Sequence, residues 1–161
     1  MRTIILSSLI SIICMTTTNA QSEKTSEKDT VLPPIQVVTE FLTAYMEHNH
    51  EKFSSFLHPD VIWVQPGDSR ISGVKKSKTE LLQMGAKFAE LSARTLKLID
   101  VKYFSPVGNT VVCILHWTAA QPTGGILDVK NIDEYTVENG KIILAKIFSE
   151  DISQEDKFWG K

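Results

Sequence analysis

The chain has 161 residues, 42% hydrophobic and 22% charged, with a formal net charge of −2. The mild acidity, without a Lys/Arg stripe to neutralise phosphates, argues against a nucleic-acid binder. The one basic cluster, Lys75-Lys76-Ser77-Lys78, reads as a solvated loop and helix start.

The chain opens on a targeting pattern. Arg2 gives a positive start, and residues 4–15 are an apolar run too short for a comfortable membrane span. Small residues follow up to Ala20, so residues 1–20 are expected to be a signal peptide cleaved after Ala20. The mature protein is then exported, periplasmic or secreted, with no stable membrane insertion. Cys14 follows Ile12-Ile13 rather than a small residue, which disfavours lipidation. Residues 21–33 are expected to be a flexible leader closed by Pro33, and residues 34–161 a single domain. Cleavage leaves Cys113 as the lone cysteine, so no internal disulfide is expected.

Residues 34–49 read as a helix, with Ile35, Val38, Phe41, Leu42 and Tyr45 on one stripe. Residues 50–57 read as a second, short helix ended by His58-Pro59-Asp60. Residues 61–65 form a strand stopped by Pro66-Gly67, and a short strand is expected near Ile71. Ser77-Lys78-Thr79-Glu80 is a capping box that opens a helix to about Leu91. Residues 95–104, 110–119, 125–137 and 141–149 are β-rich, with short connections between them. They should form an antiparallel meander. The last turn, Asn139-Gly140, is a strong hairpin signal because both residues tolerate positive φ. Helices grouped before an antiparallel sheet indicate an α+β fold. The expected form is a cone-shaped curved sheet closed by three N-terminal helices, with an open mouth for a small molecule.

Alternation sorts the strand faces. Leu127, Val129, Asn131, Asp133 and Tyr135 share the more apolar face and should point into the cone. A carboxylate there has its pKa raised unless paired, which suits a general acid or base. The other outcome for Asp133 is a place at the wet mouth, or a purely structural bond to backbone. On the preceding strand Val111, Cys113, Leu115 and Trp117 share one face and His116 lies on the other. A dyad of Cys113 with His116 is therefore disfavoured, and Cys113 reads as a buried, inert thiol. If its face is the outer one, His116 is a surface or dimer-interface residue, unless a bulge turns it inward to act as a base. Trp63 and Gln65 share a face and are candidates to line the pocket, with core packing as the alternative for Trp63. Tyr45 faces the same choice between core and pocket. His48, His50, His58 and Asp60 lack metal-ligand spacing, so no metal is expected. Nothing in the sequence calls for a cofactor.

In its order of elements the chain resembles the nuclear transport factor 2-like superfamily, which includes ketosteroid isomerases, scytalone dehydratases and SnoaL-like polyketide cyclases. Three patches carry the resemblance. The first runs from Tyr45-Met46-Glu47 to Asp60-Val61-Ile62-Trp63-Val64-Gln65-Pro66-Gly67. The second is Gly73 leading into the capping box, and the third is residues 133–142. The resemblance implies that Tyr45 matches the oxyanion-stabilising Tyr of the isomerases and Trp117 one of their pocket aromatics. Their catalytic Asp is replaced by Gln65, and their second acid falls at or next to Ile132, adjacent to Asp133. The cyclases pair an acid matching Asp133 with a His in the preceding loop, but residues 121–125 contain no His.

Asp133 and Tyr45 are accordingly the candidate catalytic residues. Trp63, Gln65, Leu115, Trp117, Asn131 and Tyr135 are the candidate ligand pocket. The expected function is binding of a small apolar or amphipathic ligand in the cone. The alternative is a cofactor-free isomerase, dehydratase or cyclase with Asp133 as general acid/base. A dimer-forming structural module is a third, weaker class. Apolar residues on the outer sheet face, Val112, Ile114 and Ile132, suggest a homodimer through the sheet.

Overall fold

The computed structural model describes residues 31–104 and 106–161. Residues 1–30, with the expected signal peptide and most of the expected leader, lie outside them. Among the described residues four helices, α1 (Pro34–Met46), α2 (His50–Ser55), α3 (Lys78–Leu91) and α4 (Ile152–Trp159), surround six strands. The strands are β1 (Leu57–Gln65), β2 (Gly73–Lys75), β3 (Lys97–Tyr103), β4 (Thr110–Ala120), β5 (Ile126–Glu138) and β6 (Lys141–Ser149). They make one sheet in the order β2-β1-β6-β5-β4-β3. As expected, the last four strands form an antiparallel meander. The strand β1 returns to pair parallel with β6, and β2 adds antiparallel to the far edge. This is the expected α+β architecture.

Local chemistry accounts for the element ends. Pro34 sits at the first position of α1, where a missing N–H leaves nothing unpaired. The helix stops at Met46, short of Asn49, because His48 takes φ +57°. Asn49 then caps α2 by accepting from the Lys52 amide. In α3 the Glu80 amide donates to Ser77 Oγ at 3.2 Å. Glu80 reaches back to the Lys76 amide at 2.8 Å, one residue earlier than the standard box. At the β5–β6 turn Asn139 and Gly140 have φ of +48° and +74°, and Glu138 pairs with Lys141 across them.

Two expectations need correction. His58-Pro59-Asp60 does not end a helix. It lies within β1, in a register shift between Leu57 and Ile62, where a proline without an N–H is tolerated. The short strand forms at residues 73–75 rather than at Ile71, which is a buried turn residue. The three N-terminal helices form as expected, and α4 adds a fourth at the C-terminal end, capped by Asp151 accepting from the Gln154 amide at 2.9 Å.

The core lies on the concave face. Val37, Val38 and Phe41 from α1 meet Val111, Cys113 and Leu115 from β4 and Val129 and Tyr135 from β5. The strict alternation of buried and exposed residues along β5 puts Leu127, Val129, Asn131, Asp133, Tyr135 and Val137 inside. On the convex face Ile132 stays 48% exposed and Phe148 53%, and the two are register partners with Ile114 next in the row.

Candidate functional site

The concave face and the helices enclose a cavity of about 130 Å³. Its walls come from every layer. α1 supplies Phe41, Leu42 and Tyr45, and α2 supplies Phe53. α3 supplies Leu81, Met84 and Phe88, with exposed Leu82 and Gly85 at the rim. β1 supplies Trp63 and Gln65, β4 supplies Trp117, and β6 supplies Ile147. β5 supplies Leu127, Asn131, Asp133 and Tyr135, and α4 closes the end with Glu155 and Trp159.

The aromatic walls brace one another. Phe41 stacks on Phe53 at 4.4 Å between centroids, and Tyr45 meets Trp117 edge-on at 5.2 Å. Trp63 and Phe41 each make an edge contact with Tyr135. Trp159 packs between Phe88 and Phe158. Such pairs contribute beyond their buried area and hold the rings in place.

The polar groups are few. Asp133 is 3% exposed. Its Oδ2 accepts from the Tyr135 hydroxyl at 2.7 Å, and its Oδ1 has no partner. Burial pushes the Asp133 pKa up to about 7; the Tyr135 bond pulls it down and the nearby Glu155 charge pushes it up further. Burial, and then the Asp133 charge, hold the Tyr135 hydroxyl well above its ordinary range. Glu155 is also buried, and burial raises its pKa, while Ser149 and Asn131 beside it pull the other way. Trp63 Nε1 donates to Gln65 Oε1 at 3.2 Å, which leaves the amide nitrogen of Gln65 as a donor at the cavity wall. Tyr45 is half-buried, and burial raises its pKa to about 12.

The structure therefore brings Asp133, Tyr45, Trp63, Gln65, Trp117, Asn131 and Tyr135 to one cavity. Leu115 is the exception. It faces inward as expected but is fully buried in the core, where α1 packs over β4, and it does not reach the cavity. His116 stays on the outer face and pairs with Asp128 at 2.5 Å, away from Asp133. Cys113 is fully buried, and burial, reinforced by Asp133, raises its pKa to about 12, so it is a poor nucleophile. His48 and His50 are exposed, and no group of three metal-ligating side chains forms among the described residues.

Two wall residues, Glu155 and Trp159, escape the sequence reading because α4 does. A signal for α4 exists in the chain: Asp151 is a good cap, Glu155 falls in the first turn, and Gly160 directly follows the last.

A SnoaL-like domain family matches residues 38–145. The chain belongs to the SnoaL-like family. No curated protein matches it. A protein of unknown function with a cystatin-like fold from Xanthomonas campestris is 30% identical, with a TM-score of 0.76. The alignment covers 81% of this chain and 100% of that one. Bal32a, from a soil-derived mobile gene cassette, superposes with a TM-score of 0.74 at 21% identity, over 79% of this chain and 96% of its own. TerC, co-crystallised with polyporic acid, has a TM-score of 0.68 at 17% identity, over 80% of this chain and 100% of its own. In this SnoaL-like chain the stretch matched by the family ends before α4, so Glu155 and Trp159 lie beyond it.

Proposed function

We propose that this SnoaL-like protein is exported and binds a small, mainly apolar molecule in its cone. The observation that carries this is a cavity walled by aromatic and aliphatic side chains with only a few polar groups, the make-up of a ligand site rather than a filled core. TerC, which shares the fold, was co-crystallised with a small molecule, polyporic acid. Export rests on the sequence of residues 1–20 and predicts a mature N-terminus at Gln21.

A second function is favoured by one specific observation. Asp133 has a pKa near neutrality and a free oxygen in the cavity. A group so placed can take up or give a proton at neutral pH. It would serve a cofactor-free isomerisation, dehydration or cyclisation, with Tyr45 and Gln65 polarising an oxygen of the substrate.

Native mass spectrometry of the protein purified from its host without refolding tests the binding function. A retained small molecule gives the ligand mass. A protein that retains nothing and ignores a hydrophobic dye has no usable cavity. Asp133→Asn separates binder from enzyme: an enzyme loses turnover in the folded variant, whereas a binder has no turnover to lose and changes only in affinity.

A further inference from the structure

We infer that the cavity selects a ligand carrying a protonated amine on a small apolar or aromatic body, held between Asp133 on β5 and Glu155 on α4. The inference rests on the ligand-binding function proposed above and names the chemistry of the ligand. Among the described residues three buried side-chain oxygens have no hydrogen-bond partner: Asn131 Oδ1, Asp133 Oδ1 and Glu155 Oε1. Their residues are 6%, 3% and 5% exposed, and all three line the same cavity. An unpaired buried polar atom is costly, so three in one cavity mark a place built to receive a polar group.

The group that suits them is a donor. All three atoms are acceptors, and an ammonium group carries three N–H donors and no acceptor. Two of the three belong to carboxyl groups, and the Glu155 charge acts unfavourably on that of Asp133. No Lys, Arg or His from the described residues lines the cavity to offset them. A cation from outside would do so, since a buried charge is tolerated when it is paired and hydrogen-bonded. The surrounding rings fit the same ligand. Trp63, Trp117, Tyr45 and Trp159 line the cavity, and aromatic faces attract an ammonium most strongly where water is excluded. The volume of about 130 Å³ is close to that of a cavity known to take one benzene ring.

A carboxylate ligand would meet two acids and is disfavoured. A neutral alcohol can donate one hydrogen bond and would leave two of the three acceptors unpaired. Glu155 is central here because it comes from α4, beyond the stretch matched by the family.

Calorimetric titration near pH 8 with phenethylamine, 2-phenylethanol and phenylacetate tests the inference. These probes share one ring and differ in the head group. The expected result is binding of phenethylamine roughly tenfold or more tighter than 2-phenylethanol, with phenylacetate weakest. Asp133→Asn and Glu155→Gln should each retain 2-phenylethanol binding while losing most of the preference. Equal binding of amine and alcohol, or tighter binding of phenylacetate, overturns the amine selectivity and leaves the small-molecule cavity standing. Binding of none of the three, together with no retained ligand by native mass spectrometry, overturns both. Preference that survives in both folded variants overturns the assignment to Asp133 and Glu155.

Discussion

Tyr135 donates its hydroxyl hydrogen bond to Asp133 Oδ2 at 2.7 Å, between two residues on the same face of β5. The spacing of two is what places both side chains on the concave face. Both are buried, so the bond is made where no water competes. It holds one carboxyl oxygen and leaves the other free toward the cavity. Tyr135→Phe removes the one neighbour that lowers the Asp133 pKa, which should therefore rise above about 7. Carboxyl-carbon NMR titration of the variant reads this directly. The variant should also lose about 1–3 kcal/mol of stability through the unpaired oxygen. An unchanged Asp133 titration would show that the bond is not made in solution.

The raised pKa fixes how stability depends on pH. The groups facing Asp133 are Tyr135 on its own strand, Cys113 across from it on β4 and Glu155 from α4. In the unfolded chain Asp133 loses its proton near the ordinary 3.8, whereas in the folded chain it holds it to about 7. The unfolded state therefore binds fewer protons between those values, and folding stability falls as pH rises through that window. The full contribution is present below the lower value and is gone above the upper one. The difference amounts to about 4 kcal/mol at most. Urea unfolding of the wild type and Asp133→Asn across this range is the measurement. The variant should show a flatter profile, because its side chain does not ionise while its oxygen can still accept from Tyr135. Parallel profiles would mean that Asp133 ionises normally.

The legible parts of the fold are those with local signatures. Asn139-Gly140 adopts the two positive φ angles its turn demands, and β5 alternates without a break, so Asn131, Asp133 and Tyr135 can be placed inside from spacing alone. Trp63 and Gln65 follow from the same alternation on β1. Parallel pairing of β1 with β6 is not legible, because the partners lie far apart in the chain and no local pattern records it. Leu115 shows the limit of face arguments. Alternation says inward, but only packing says whether an inward residue meets a cavity or another side chain. Glu155 marks another limit: a single acid on a short helix carries no sign of burial until α4 is laid across the cavity.

The position of α4 makes Trp159 a keystone of the cavity end. Its side chain is 2% exposed and meets both Phe88 and Phe158 edge-on, at 4.9 and 4.7 Å. Trp159→Ala should destabilise the fold by about 3–5 kcal/mol, the usual loss for truncating a buried aromatic. It should also release α4 and expose Glu155, whose pKa then falls back toward the ordinary range. Thermal unfolding measures the first effect and carboxyl-carbon NMR the second. A variant that loses stability but keeps Glu155 buried would show that α4 is held mainly by Phe158 and its capping bonds.

The convex face bears on the proposed homodimer. Ile114, Ile132 and Phe148 form a row across β4, β5 and β6, and Ile132 and Phe148 are about half exposed. Ionic groups border the row on both sides: the Lys146–Glu134 pair at 3.3 Å, and His116 with Asp128. An apolar row edged by both charge signs can meet a copy of itself about a two-fold axis, each Lys facing a partner acid. Ile132→Asp places a carboxylate at the centre of that row. The expected outcome is loss of the dimer in analytical ultracentrifugation with an unchanged circular dichroism spectrum. Ligand binding should persist, because Ile132 points away from the cavity that its neighbours Asn131 and Asp133 line. A wild-type protein that sediments as a monomer at high concentration would remove the dimer. A variant that stays dimeric would move the interface to another face.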